Sequence, residues 1–243
     1  MDPLTISAAS GLRSRMESLD MLANNIANGS TGGYKADREF YSLYVAPEAA
    51  GSIPEPDTLP VIERPWTDFS QGELRTTNNP LDFALTGKGF FAVNSPAGPL
   101  YTRDGNFRIS PAGQLVTTQG NAVRAAGGGV LNLSQSSPVE VLADGTVRQQ
   151  GQTVGQMEIV DFADASALAK QGHNYFQLTD PKVKPVRAAG AAVEQGKLEN
   201  SNASSAEAAV RLVSVIRQFE MLQKAVSLGA EMNRQALEEV AKV

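Results

Sequence analysis

Residues 204–242, SSAEAAVRLVSVIRQFEMLQKAVSLGAEMNRQALEEVAK, decide the fold of this 243-residue chain. Ser204 with Glu207 three residues later is a capping-box pattern, which predicts where a helix begins. Mainly apolar residues then recur at alternating steps of three and four, a spacing that predicts one packing seam. That seam comprises Leu212, Val215, Phe219, Leu222, Val226, Gly229, Asn233, Ala236 and Val240. At 1.5 Å per residue the helix is roughly 55 Å long, whereas a compact globule of this size is about 45 to 50 Å across, so we expect the helix to need a partner.

The N-terminal segment repeats this periodicity. Its seam comprises Ala9, Leu12, Met16, Leu19, Ala23 and Ile26, and the helix should end near Asn28-Gly29. Long helices are marginal alone in water, so the two ends should pair with each other, with helices of neighbouring subunits, or with both. Asn24, Asn25 and Asn28 are poor residues for a helix interior. They indicate either a frayed helix end or amides that bond to neighbouring backbone.

Composition restricts the function classes. A net charge of −5 argues against nucleic acid or an anionic membrane as the main partner. The chain has no Cys and one His, which excludes disulfides, thiolate catalysis and Cys-ligated or His-rich metal sites. We see neither a basic start followed by an apolar core nor an apolar run of membrane-spanning length. We therefore expect no cleaved signal, no membrane insertion, no cofactor and no metal.

The middle of the chain indicates β structure. Residues 36–73 contain five prolines and should form an extended connector, with strands near 59–62 and local disorder at 46–57. Short strand patterns follow at 89–93, 100–103, 107–109, 114–116, 156–162 and 175–178. Asp104-Gly105 and Asp144-Gly145 are hairpin signals, and 164–170 is predicted to be a short helix.

The predicted fold class is therefore α+β. The N- and C-terminal helices (1–35 and 200–243) should form a coiled-coil-like helical domain. A mainly antiparallel β domain (74–199) is inserted between them behind the connector.

Candidate catalytic residues are weak. Asp161 and Asp164 could form an acid/base pair or bind a cation, but such acids more often form turns. The glycines at 127–129 lack the Lys-Ser/Thr of a phosphate loop, and His173 is a lone turn residue. Arg103-Asp104 lies beside a turn signal and is more simply explained as a hairpin apex. We assign no catalytic, cofactor or metal residues.

Four blocks of sequence resemble the bacterial flagellar rod and hook axial proteins. The first is Ala23-Asn24-Asn25-Ile26-Ala27-Asn28 with Thr31, Gly33, Tyr34 and Lys35. The second is Asn79-Pro80-Leu81-Asp82-Phe83-Ala84 with Gly87, Gly89, Phe90 and Phe91. The third is Tyr101-Thr102-Arg103-Asp104-Gly105-Asn106-Phe107 with Gly113, Leu115-Val116-Thr117 and Gly120. The fourth is Gly196, Leu198, Glu199, Ser201 and Asn202 with Arg217, Phe219, Glu220 and Lys224. Within this family the chain resembles the proximal rod branch more than the distal one.

The resemblance implies a non-enzymatic subunit of the flagellar basal-body rod, which passes torque from motor to hook. Implied partners are copies of the chain, other rod and hook subunits, and the flagellar type III export apparatus, which exports such proteins without signal cleavage into the periplasm-spanning rod. The terminal helices would form an inner layer with the β domain outside. Together with the two seams, the resemblance predicts an assembly interface of Leu12, Met16, Leu19, Asn24, Asn25, Ile26, Asn28, Leu212, Val215, Arg217, Phe219, Glu220, Leu222 and Val226.

Two other functions stay open at this point. The β domain could bind cell-wall glycan, although low aromatic content and a single Trp66 speak against a sugar-stacking surface. A hydrolase using Asp161 and Asp164 is the other alternative.

Overall fold

A computed structural model describes residues 3–39, 41–45, 58–62 and 66–240. Within this part of the chain, no helix combines the length and the apolar character needed to span a membrane. The segment 46–57, for which we predicted local disorder, lies outside the described residues.

Two long helices flank a series of short strands. Helix α1 spans Pro3–Ala27 and helix α2 spans Ser205–Val240. The strands are β1 Asp37–Arg38, β2 Tyr41–Val45, β3 Thr58–Ile62, β4 Trp66–Thr67, β5 Leu74–Thr76, β6 Phe83–Thr86, β7 Phe90–Ser95, β8 Gly98–Thr102, β9 Phe107–Ile109, β10 Leu115–Thr117, β11 Ala122–Val123, β12 Val139–Val141, β13 Thr146–Gln149, β14 Gln152–Gln156, β15 Ile159–Asp161, β16 Leu168–Lys170, β17 Tyr175–Leu178, β18 Val186–Arg187, β19 Ala192–Gln195 and β20 Lys197–Glu199.

The chain divides into two compact units, and the first contains both helices. It comprises Met1–Ala27, Asp37–Asp68 and Ser204–Val243. Helix α1 packs along α2: Leu22 clusters with Ala208 and Val215, whereas Gly11 lies against Leu222. Since lower-numbered residues of α1 meet higher-numbered residues of α2, the helices run antiparallel. Two antiparallel ribbons, β1 with β4 and β2 with β3, complete this unit.

The second unit, which we call the β unit, comprises Asn28–Ala36 and Phe69–Ala203. Its main sheet has the strand order β16-β17-β8-β7-β11-β10-β9, and β15 also pairs with β7 and with β18. A three-stranded sheet, β12-β13-β14, and two antiparallel pairs, β6 with β19 and β5 with β20, complete it.

The core of the β unit lies on both faces of the main sheet. Successive side chains of a strand point to opposite faces, so Phe91 and Val93 join one buried cluster while Phe90 and Ala92 join another. The second cluster is aromatic: the ring centroids of Phe90 and Phe176 lie 5.7 Å apart in an edge-on arrangement. Because both faces of the sheet are covered here, residues 90–93 of β7 are all apolar.

The helix boundaries agree with the sequence predictions. Helix α1 ends at Ala27, one residue before Asn28-Gly29. Helix α2 begins after Ser204, whose Oγ accepts a hydrogen bond from the Glu207 N–H at 3.3 Å. Both boundaries are confirmed, as is the α+β fold class.

Most of the predicted strands are confirmed, including β3 at the predicted 59–62. The Asp144-Gly145 hairpin joins the paired strands β12 and β13, and the turn at 111–113 joins β9 and β10. Two predictions are wrong. The strands on either side of Asp104-Gly105, β8 and β9, do not pair with each other. The predicted helix 164–170 is a 3-10 turn, Ala165–Ala167, followed by β16, because β16 finds a partner in β17.

Candidate assembly helices and a buried ionic junction

Over residues 212–229, the less exposed face of α2 coincides with the seam read from the sequence. The seam residues Asn233, Ala236 and Val240 lie outside the described side chains. Val215 is buried, and Leu212, Phe219, Leu222, Val226 and Gly229 are each half-buried. Within residues 11–27 of α1, whose side chains are described, the buried residues besides Leu22 are Ser14, Ser18 and Asn25. The α1 residues that cluster with α2 are apolar, namely Leu19, Leu22 and Ile26, so apolar packing joins the two helices.

Helix α2 carries a second set of apolar side chains, which are largely exposed. Val210, Met221, Leu228 and Met232, which we call the outer stripe, are 62% to 73% exposed. At about 100° per residue, these four positions fall within about 40° of one another and roughly 140° from the seam. Four large apolar side chains exposed along one face mark an interaction surface more often than a single exposed residue does.

The predicted interface residues fall into three groups. Leu19, Ile26, Leu212 and Val215 belong to one cluster between the helices. Leu12, Asn28, Phe219, Leu222 and Val226 are half-buried, and Asn25 is buried. Met16, Asn24, Arg217 and Glu220 are exposed. The helix pair therefore accounts for part of this set and leaves Met16, which is 56% exposed, outside the α1–α2 contact.

The Asn-rich end of α1 binds backbone. The Asn25 Nδ2 donates to the Asp37 carbonyl oxygen at 2.8 Å, and the Asp37 N–H donates to the Asn25 Oδ1 at 3.0 Å. One side-chain amide thus pairs with a backbone residue as a neighbouring strand would. Of the two interpretations offered by the sequence, the structure supports amides that fix the local packing.

A group of three buried charges lies at the centre of the β unit. The Lys35 Nζ donates to the Glu199 Oε1 at 2.5 Å, and the Arg103 Nη1 donates to the Glu199 Oε2 at 3.2 Å. The Lys35 and Glu199 side chains are 0% exposed and that of Arg103 is 3% exposed. We call this group the ionic junction. It draws together residues from three of the four sequence blocks.

Backbone groups supply further hydrogen bonds to the ionic junction. The Glu199 Oε1 also accepts from the Gly72 N–H at 2.8 Å. The Lys35 Nζ donates to the Ser70 carbonyl at 2.7 Å, and the Arg103 Nη2 donates to the Gly87 carbonyl at 2.6 Å. A buried charge is tolerated when it is paired and hydrogen-bonded in this way. Burial lowers the pKa of Arg103, and the Glu199 carboxylate acts in the opposite direction.

Lys35 and Glu199 belong to two chain segments that are hydrogen-bonded to each other. We call these segments, residues 28–36 and 196–203, the neck. The Gly33 N–H donates to the Glu199 carbonyl at 2.8 Å, and the Asn202 N–H donates to the Tyr34 carbonyl at 3.3 Å. The Ala36 N–H donates to the Asn202 Oδ1 at 2.7 Å. Residues near the two ends of the sequence are therefore hydrogen-bonded neighbours within the β unit.

Two glycines permit the close approach of chains around the neck. Gly33 has a φ of +66°, and a Cβ at this position would lie 2.3 Å from the Asp104 backbone nitrogen. A Cβ on Gly72 would lie 2.1 Å from the Asn200 carbonyl oxygen. Both distances are shorter than any van der Waals contact, so only glycine fits without moving backbone.

The loop between β8 and β9 supplies Arg103 and Asp104. Burial raises the pKa of the Asp104 carboxyl, with a further contribution from the nearby Asp82. The Asn106 N–H donates to the Asp104 Oδ1 at 3.1 Å and opposes that shift. Our interpretation of Arg103-Asp104 as a hairpin apex is therefore wrong, because Arg103 is a buried partner of Glu199.

The candidate catalytic acids serve local structure. Hydrogen bonds from the Ser166 side chain and from the Ser166 N–H, the latter at 2.9 Å, lower the pKa of the Asp164 carboxyl. Asp161 accepts from the adjacent Phe162 N–H at 2.8 Å. His173 is exposed in a turn with a φ of +47°. Both aspartates thus act on the backbone next to them.

Sequence reasoning assigned no role to the three charges of the ionic junction. Lys35, Arg103 and Glu199 were quoted as members of family blocks, but nothing local shows that they are buried or that they meet. The available signal was that each charge stands within an otherwise apolar or turn-rich block.

Comparison with known families follows the same three regions of the chain. Family models match at residues 7–35 (flagella basal body rod protein), 84–152 (flagellar hook protein FlgE/F/G D1 domain) and 194–239 (flagellar basal body rod FlgEFG protein C-terminal). The chain is 35% identical to the flagellar basal-body rod protein FlgF of Caulobacter vibrioides over 234 residues, covering 93% of this chain and 92% of that protein. The chain belongs to the flagellar basal-body rod protein family.

Other members of the rod family agree with this assignment. FlgF of Mesorhizobium japonicum is 29% identical over 89% of this chain and 88% of its own length. FlgG of Buchnera aphidicola subsp. Baizongia pistaciae is 32% identical over 96% of this chain and 97% of its own length. The predicted resemblance, with FlgF first and FlgG second, is confirmed. Each of the three family-model regions contributes one residue of the ionic junction.

Proposed function

We propose that this protein is a structural subunit of the flagellar basal-body rod, of the FlgF type. It assembles helically with copies of itself and with other rod and hook subunits, and it transmits torque from motor to hook during motility. Similarity to rod proteins along nearly the whole chain supports this proposal. The observation that carries the assembly mechanism is the outer stripe of α2, which the α1–α2 contact leaves exposed.

The two faces of α2 have different roles in this proposal. The seam pairs with α1 within one subunit, and the outer stripe, together with exposed Met16, Arg217 and Glu220, packs against helices of neighbouring copies. An open helical rod requires a heterologous contact, so the outer stripe would pack against a different patch of the neighbouring copy. The terminal helices would then form a coiled-coil-like inner domain (1–35 and 200–243), with a connector (36–73) and the β domain (74–199) outside it.

The rod proposal includes a location and a route. The protein resides in the periplasm-spanning rod of the basal body. It reaches that site through the flagellar type III export apparatus without cleavage of a signal peptide, and it has no enzymatic activity. A chain without disulfides suits export in an unfolded state.

An alternative position in the same structure is the distal rod or a hook-type axial site. The 32% identity to a FlgG over 96% of this chain favours keeping that alternative. Labelling the protein in isolated basal bodies separates the two, because a proximal subunit lies near the motor end of the rod. Cell-wall binding is a weaker alternative, which co-sedimentation with purified cell-wall sacculi tests.

The test of assembly replaces two residues of the outer stripe, in the variant Met221→Gln/Leu228→Gln. Gln has nearly the helix propensity of Met and Leu, so the folded monomer should keep its helix content and its stability. Incorporation into isolated basal bodies, measured by immunoblot, should fall at least tenfold, with a matching loss of swimming. The control Gln223→Lys changes an exposed residue away from the stripe and should behave as wild type. Normal incorporation of the double variant would contradict assembly through this face.

A further inference from the structure

The ionic junction is an expensive way to stabilise a core. Taking three charged groups out of water carries a desolvation cost that their mutual attraction often fails to recover. Replacing such a group with apolar residues of similar volume is often neutral or stabilising. Stability alone therefore does not explain why Lys35, Arg103 and Glu199 are buried in a unit that already has two apolar clusters.

The ionic junction constrains the relative positions and orientations of the groups that it joins. The Glu199 carboxylate accepts from the Lys35 Nζ, the Gly72 N–H and the Arg103 Nη1 at once. Arg103 in turn donates to the Gly87 carbonyl through a different nitrogen. Charge-assisted hydrogen bonds depend on both distance and angle, whereas apolar contacts tolerate sliding and repacking. A chain segment held by this network has one register.

The neck is the segment so held. Lys35 belongs to residues 28–36 and Glu199 to residues 196–203, and Arg103 anchors Glu199 to the body of the β unit. Helix α1 ends immediately before the first segment, and α2 begins soon after the second. The ionic junction therefore fixes the position, within the β unit, of the two neck segments that connect to α1 and α2 in the sequence.

We propose that Lys35, Arg103 and Glu199 are positioning residues whose charges fix the register of the two neck segments, and that rod assembly depends on this register. The dependence on assembly rests on the function proposed above; the fixed register does not.

The first experiment replaces the whole group, in the variant Lys35→Met/Arg103→Met/Glu199→Leu. This change removes all three charges at once, so no buried charge stays unpaired. The Gly72 N–H and the Ser70 and Gly87 carbonyls lose a partner, so the urea midpoint should fall, but by less than in a variant that lacks the Glu199 charge alone. The chain has no Cys, so Ser30→Cys and Lys88→Cys, both exposed, provide the sole spin-label sites. Double electron–electron resonance measures the distance between the labels at positions 30 and 88. The distance distribution should be narrow when the ionic junction is intact and at least twice as broad in the triple variant. Incorporation into basal bodies should fall at least tenfold.

A triple variant that is stable, keeps the narrow distribution and assembles normally overturns the proposal, since the charges would then be replaceable core. Incorporation into basal bodies distinguishes the proposed rod function from the proposed positioning role. Failure of the unmodified protein to enter basal bodies contradicts the rod function, whereas equal incorporation of both proteins contradicts only the positioning role.

The second experiment uses the unmodified protein and does not depend on the variant's folding. The Gly33 and Ala36 amides are bonded across the neck, and the Ala92 amide lies in the core of the main sheet. If the ionic junction holds the neck rigidly, the hydrogen-exchange protection of Gly33 and Ala36 should lie within about tenfold of that of Ala92. Protection lower by a thousandfold or more would show a neck that opens by itself and would refute a fixed register.

Discussion

Glu199→Gln should unfold the β unit far more readily than its small change in shape suggests. The substitution leaves Lys35 and Arg103 buried with no anion between them. The Gln Oε1 can still accept from Lys35, but its amide group would face the Arg103 Nη1, donor against donor, where the carboxylate oxygen now accepts at 3.2 Å.

The expected size follows from the burial of these groups. Removing one partner of a fully buried ion pair costs about 3 to 5 kcal/mol, because a desolvated charge remains. With a urea dependence of about 2 kcal/mol per molar, the unfolding midpoint should fall by about 1.5 to 2.5 M. That loss is a large share of the stability of a typical domain, about 5 to 15 kcal/mol.

Urea titration followed by circular dichroism measures this effect, and Glu194→Gln provides the matched control. Glu194 lies five residues earlier and pairs with Lys197 at 2.6 Å, but both side chains are about one third exposed. An exposed ion pair contributes below about 1 kcal/mol, so the control midpoint should move by less than about 0.5 M. Equal midpoints for the two variants would refute the buried ionic junction as a determinant of stability.

Three further predictions concern single residues. Gly33→Ala should destabilise the β unit by more than about 2 kcal/mol in urea titrations, because the φ of Gly33 is positive and a Cβ there would meet backbone atoms. The control Gly129→Ala should change the free energy of unfolding little, because the space around Gly129 is open. Asn25→Ala should cost about 1 to 3 kcal/mol, because it leaves two backbone polar groups without their partner, and the exposed Asn24→Ala should cost clearly less. Burial raises the pKa of Asp104 above the ordinary 3.8, so ionisation of this carboxyl opposes folding. As the pH rises from about 4 through the raised pKa, the wild type should therefore lose stability relative to Asp104→Asn. A difference in unfolding free energy between the two proteins that stays constant between pH 4 and 7 would contradict the shift.

The helical ends of the molecule were predictable because their signals are local. A capping Ser204, an apolar period and an Asn-Gly stop are each read within a few residues, and the structure places the ends of α1 and α2 accordingly. The outer stripe was not predicted. A seam with a period of 3.5 identifies one face of a helix. The outer stripe lies on a separate face, and its residues have a less regular spacing: Val210, Met221, Leu228 and Met232.

The ionic junction could not be predicted because its partners are distant in sequence. Arg103 and Glu199 are 96 residues apart, and Arg103 beside Asp104-Gly105 has every local feature of an exposed turn. The same limitation applies to residues 168–170, where pairing with β17 overrides a helical pattern. Local patterns predicted the elements, and long-range pairing decided which charges became buried.

The sequence separation of Lys35 and Glu199 also determines when the ionic junction can form during protein synthesis. The two residues are 164 positions apart, so at a synthesis rate of about 5 to 20 residues per second Glu199 follows Lys35 by about 8 to 30 seconds. During that interval the carboxylate that joins Lys35 to Arg103 does not yet exist, and the first neck segment has no second segment to bond. The neck of the nascent protein therefore stays open until Glu199 has been made.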